Sequence, residues 1–174
     1  MKQHECAQGA SGSGHRTFVQ KIAAMAISSM IQDALYRYCR AIDRQERALL
    51  GQVFHTDAVI DNGHFKRGPA DFSRMATKRH TAITQVSHMV ANVLIDFMEP
   101  CKAFVESYRL ALEHRPHCDA GPLDRVAHVR YADVFERRAQ AWRVAHRNAV
   151  IDHEMSCPAS TATPARGGRM LAAC

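Results

Sequence analysis

Two stretches, VSHMVANVLIDF (86–97) and CKAFVESYRLALEH (101–114), limit the fold more than any other part of the chain. β-Branched and aromatic residues dominate both, and Pro100 between them marks a turn, so they predict two long neighbouring strands. Helical patterning lies upstream. From about Ser28, the residues Ile31, Leu35, Tyr38, Ile42, Leu49 and Val53 follow the i, i+3/i+4, i+7 rhythm of one buried helical stripe. Asp57-Ala-Val-Ile-Asp-Asn-Gly reads as a short strand ending in an Asn-Gly turn. Gly68-Pro69-Ala-Asp-Phe opens a second helix running to about Ala82, with proline at a tolerated first-turn position. Residues 114–125 form a breaker-rich loop, and 130–155 read as two more strands turning near Ala139 and Gln140. Helices first and strands after give an α+β class: a curved antiparallel sheet wrapped around N-terminal helices, with an internal pocket at its open end.

At 174 residues the chain suits one domain. We expect a flexible segment and helix lead-in at 1–27, the α+β domain at 28–155, and a flexible tail at 156–174. The formal charge of +6 is dominated by arginine. Those arginines are spread along the chain and often sit near acids, which argues against a nucleic-acid partner. The six cysteines form no CxxC pair and read as reduced thiols. The apolar run IAAMAISSMI (22–31) is too short to cross a membrane and has the wrong flanks for a signal peptide. The expectation is a soluble cytoplasmic protein with no membrane partner. No phosphate-cradling glycine loop, GxSxG or dinucleotide fingerprint occurs, which removes the common nucleotide and acyl-transfer readings.

Candidate chemistry centres on one acid. Asp43 follows Ile42 at the edge of the buried stripe. It is either a solvated carboxylate balanced by Arg40, Arg44 and Arg47, or an acid aimed into a pocket. By strand alternation His88 shares a face with Val86, Val90, Asn92 and Leu94. It is either a core histidine satisfied by backbone or a base. Arg147 falls with Ala145, Ala149 and Ile151. It either snorkels to solvent or presents a fixed charge to an anionic group. Tyr36 lies seven residues before Asp43, on nearly the same side of a helix. His114, His117, Cys118, Asp119 and His128 offer zinc-ligand types, but Pro116 and the lack of a second paired cluster favour a solvated loop. His55 and His64 read as surface residues and Trp142 as structural.

The segments YCRAIDR, FHTDAVIDNGHF, SHMVANVLI and FERR…WRVAHR, in that order across roughly 28–155, resemble the SnoaL-like branch of the nuclear-transport-factor-like superfamily. Within it the chain is similar to the gamma-hexachlorocyclohexane dehydrochlorinases and, more distantly, to the scytalone and bile-acid dehydratases. The resemblance implies a cystatin-like α+β cone, an oligomer (homodimer or homotrimer), and an Asp–His dyad that removes a proton without cofactor or metal. Carried over by motif, Asp43 and His88 become the dyad. Arg147 becomes the leaving-group arginine, and Tyr38 stands where the dehydrochlorinases have lysine. That exchange favours loss of water or a double-bond shift over haloalkane elimination. Tyr38, Arg147, Asn92 and Tyr36 are the candidate substrate-binding residues. The implied function is a cofactor-independent, dehydratase-type lyase on a small, mainly apolar cyclic or polycyclic substrate. The alternatives are a ketosteroid-type isomerase, or a non-catalytic ligand-binding or oxygenase-small-subunit-like assembly protein.

Overall fold

The computed structural model describes residues 17–159 except 64, 81–82 and 117–120. The flexible segment expected at 1–16, the tail beyond 159, and His64, His117, Cys118 and Asp119 lie outside the described residues. Helix α1 spans Phe18–Arg44, starting ten residues earlier than its apolar stripe suggests. Thr17 and Gln20 form a reciprocal capping box there, which satisfies the first free amides and makes a polar sequence a competent helix start. Residues 18–27, within the segment expected to hold the helix lead-in, are helical.

The stripe itself divides. Gln45 adopts the left-handed conformation (φ 56°), and the Glu46 amide donates back to the Ala41 carbonyl at 2.9 Å. This C-terminal wrap ends α1 one residue after Asp43, and a separate helix, α2 (Arg47–Val53), follows. The break aims Asp43 without disturbing the core, because Ile31, Leu35, Tyr38 and Ile42 from α1 and Leu50 and Val53 from α2 all remain buried. Full burial of Ile31 and Leu35 stabilises the packing of α1 by about 1.5–3 kcal/mol per side chain.

Strand β1 (Phe54–Asp61) runs through the Asn-Gly turn to β2 (Lys66–Arg67), and α3 covers Pro69–His80. Four long strands follow: β3 (Gln85–Glu99), β4 (Lys102–Arg115), β5 (Leu123–Arg138) and β6 (Ala141–Pro158). The single curved sheet has the order β2-β1-β6-β5-β4-β3. Its long strands are antiparallel, as expected, while β1 lies parallel to β6. β6 continues through Ser156, Cys157 and Pro158, which had been assigned to the tail. α1 packs across the sheet and α3 covers the β1 side.

Irregularities in the strands decide which side chains face inward. β3 breaks register between Ala91 and Leu94, with Asn92 at φ 50°. Beyond this bulge Val93, Ile95 and Phe97 pack on the core and Leu94 is exposed. A second bulge lies where Phe135 pairs Val144 but Val134 pairs His146. It sets Val144 and Arg147, rather than Ala145 and Arg147, toward the interior. Cys101 is disulfide-bonded, contrary to the expectation of reduced thiols, whereas Cys39 and Cys157 are free. Among the described residues no helix is long and apolar enough to cross a membrane.

Candidate active site

Asp43 sits in the last turn of α1, where the partial negative charge of the helix end disfavours a carboxylate. Its contacts explain its place. Oδ1 accepts from His88 Nδ1 at 2.5 Å, and Oδ2 accepts from the His88 backbone amide at 3.1 Å. One carboxylate thus grips both the ring and the backbone of a single β3 residue. None of the arginines offered as its counter-ions pairs with it: Arg40 bonds Glu46, and Arg47 donates to Thr77. The His88 side chain is only 3% exposed, and its ring lines the internal cavity. With Nδ1–H committed to Asp43, Nε2 is the free, basic nitrogen. Burial lowers the pKa of His88 below its ordinary value against the opposing pull of Asp43, and the nearby Arg109 charge lowers it further. The imidazole is neutral and able to accept a proton at neutral pH.

The cavity has a volume of about 400 Å³ and lies between α1, α3 and the concave face of the sheet. Tyr38, Ile42 and Phe72 supply part of its wall. Tyr38 and Tyr131 touch through their hydroxyls at 3.2 Å, so one O–H of the pair is left to donate elsewhere. The Arg147 guanidinium lies 4.3 Å from the Tyr38 ring centroid and 3.9 Å from that of Tyr131. It does not snorkel, being 1% exposed. Asp133, its cross-strand neighbour, accepts from Nε at 2.8 Å and from Nη2 at 2.6 Å. Burial works against the charge on Arg147, but Asp133 outweighs it and holds the pKa above the ordinary arginine value. Nη1 is buried with no acceptor among the described residues, which leaves one donor of a fixed cation unspent. Burial also raises the pKa of Tyr131 well above its usual value, keeping it a neutral phenol.

The structure thus brings Asp43, His88, Tyr38 and Arg147 together. It does not bring Asn92, whose side chain is exposed because the bulge at that residue reverses the strand alternation. Tyr36 is 55% exposed and lies on the outer side of α1, in a shallow groove with Cys39, Arg40 and Asp43. Burial pushes the Cys39 thiol up to about 11, which keeps it protonated. His55 is buried rather than superficial and bonds the Glu136 carbonyl at 2.9 Å. His114 pairs with Asp124 at 2.6 Å, His128 stacks on Tyr108, and Trp142 is a core residue.

Sequence reasoning missed Tyr131, Asp133 and a ring of arginines: Arg79, Arg109, Arg115 and Arg125 all line the cavity. Glu113 on β4 accepts from three of them, Arg79, Arg115 and Arg125, and Glu154 on β6 clasps Arg125 from the other side. Alternation along β4 places Arg109, Ala111 and Glu113 on one face, and that was the available signal.

The model of the SnoaL-like domain family matches residues 24–148. No curated protein sequence matches the chain. Solved structures are similar in fold. A hexachlorocyclohexane dehydrochlorinase, LinA type 2, superposes with a TM-score of 0.75 at 17% identity, covering 84% of this chain and 99% of that one. A protein assigned as a scytalone dehydratase, from Novosphingobium aromaticivorans, gives a TM-score of 0.71 at 18% identity, with 85% and 99% covered. A cystatin-like protein of unknown function from Nostoc punctiforme gives 0.54 at 16% identity, with 78% and 93% covered. With the family model spanning most of the chain and the fold shared with these structures, the protein belongs to the SnoaL-like domain family.

Proposed function

We propose that the protein is a cofactor-independent lyase that removes water from a small, mainly apolar cyclic substrate. The observation that carries this reading is the Asp43–His88 contact, with Nε2 of a buried neutral imidazole free at the wall of the cavity. In the proposed step Nε2 takes a proton from carbon adjacent to a carbonyl, and the C–H electron pair moves into an enolate. Asp43 steadies the imidazolium that forms. The free hydroxyl hydrogen of the Tyr38–Tyr131 pair meets the negative charge on oxygen, and the fixed charge of Arg147 behind the two rings favours it. The enolate collapses to a carbon–carbon double bond as the C–O bond of the β-hydroxyl breaks. The departing oxygen recovers the proton from His88, so water leaves and the imidazole returns neutral.

A cavity of about 400 Å³ suits a compound of one to three rings. The relatives that act as dehydratases and dehydrochlorinases support elimination in general, and the tyrosine pair in place of a lysine favours water as the leaving group. The test is a panel of cyclic β-hydroxy ketones followed by mass spectrometry. Loss of the mass of one water in the wild type, and a rate about 10²–10⁴-fold lower in His88→Gln, is expected. A product of unchanged mass would assign isomerisation instead. Turnover that survives His88→Gln would end the reading.

A further inference from the structure

We propose that the substrate is an organic acid whose carboxylate is bound by Arg109. This deepens the reading of the cavity as a substrate site. Five arginines line the cavity, and four of them have an acid supplied by the fold. Arg147 is held by Asp133, Arg79 and Arg115 by Glu113, and Arg125 by Glu113 and Glu154. Arg109 has no hydrogen bond or ion pair to any described residue, and its Nε is buried with no acceptor. What holds it is the face of Tyr131, with the guanidinium carbon 5.5 Å from the ring centroid.

An unpaired guanidinium is costly in a half-enclosed site, and a fold that supplies acids to its four neighbours supplies none to this one. The free positions of its fork suit the two oxygens of a carboxylate. Arg115 repeats the pattern on the same wall, since its Nε is also buried without an acceptor. The cluster around Glu113 holds three guanidiniums against two carboxylates, so positive charge is left over there as well. Register fixes where the acid would lie. Arg109 pairs with Val90 and Ala111 pairs with His88, so Arg109 projects from the concave face two residue pairs along from the dyad. A ring compound with its carboxylate on Arg109 would keep its body against Tyr38, Ile42 and Phe72, within reach of Nε2.

The experiment compares 2-naphthoate with 2-naphthamide, matched in shape and different in charge, by isothermal titration at low salt. The acid is expected to bind the wild type at least about tenfold more tightly than the amide. Arg109→Gln should bring the two to within about twofold, and Arg109→Lys should keep part of the preference by retaining the charge. His88→Gln should leave the preference intact, and melting curves of the Arg109 variants establish that they are folded. Equal affinity for acid and amide, a preference that survives Arg109→Gln, or binding of neither probe to the wild type would overturn the proposal. Failure to find any dehydration would remove the lyase reading without touching the acid preference, so the two can fail separately.

Discussion

Replacing Asp43 by asparagine keeps the size of the side chain and removes one charge and one acceptor. In the wild type the two carboxylate oxygens receive two N–H groups of His88, one from the ring and one from the backbone. An asparagine has one acceptor for these two donors. If its oxygen meets the ring, its amide faces the His88 backbone N–H, and two donors confront each other at about 3 Å. If its amide meets the ring instead, the imidazole must move its proton to Nε2 and ceases to be a base. Either arrangement also withdraws a charge-assisted bond from the imidazolium, worth about 1.5–3 kcal/mol, or roughly 10–150-fold in rate. Both groups are largely buried, so solvent screens little of this. The assay that needs no substrate is ¹⁵N NMR of the histidine ring. Nδ1 should be the protonated nitrogen in the wild type, and His88 should titrate at a lower pH in Asp43→Asn. A variant with the same tautomer and the same titration would refute the claim that Asp43 orients and charges His88.

The depressed pKa of His88 sets a pH window, because the folded state favours the neutral ring while the unfolded chain protonates near 6.5. Its contribution to stability is complete above 6.5 and is lost as pH falls through the lower folded value. Chemical denaturation from pH 8 to 5 should show that loss in the wild type and not in His88→Gln. Asp133→Ala leaves Arg147 charged and buried without its partner, at a cost of about 3–5 kcal/mol, or a fall of roughly 6–20 °C in Tm. The double variant Asp133→Leu/Arg147→Met should recover most of that loss in the same melt, and a double variant no better than the single would refute it. Ala139 and Gln140 both sit at positive φ (48° and 64°) in the two-residue turn between β5 and β6. Ala139→Asn with Gln140→Gly should therefore stabilise the protein by about 1–2 kcal/mol in denaturant titration.

Element types were legible in the sequence because long runs of β-branched residues and a six-residue helical stripe are hard to read otherwise. Asp43 and His88 were legible from their motifs. What escaped depended on single-residue irregularities. Without the bulge in β6, the ladder counted back from the turn would set Asp133 opposite His146, so its partnership with Arg147 was invisible. Asn92 was placed in the cavity by the same alternation that its own backbone interrupts. The Ala139–Gln140 turn has no glycine, yet Arg138 still pairs with Ala141 across a tight reversal. The early start of α1 rested on a hydroxyl and an amide side chain rather than on any apolar periodicity. The arginine ring is assembled from α3, β4 and β5, so no single stretch of sequence displays it.

The bulge in β3 also bears on the open edge of the sheet. β3 is the last strand of the sheet, fifteen residues long, and it carries exposed Met89, Leu94 and Met98. A straight strand of that length would offer a ready template for another chain's backbone. The kink at Asn92 cuts the template in two, since a visiting strand in step with Gln85–Ala91 falls out of step at Leu94. The residue that sequence alternation assigned to substrate thus interrupts the sheet's open edge, and straightening it would offer a visiting strand a longer ladder.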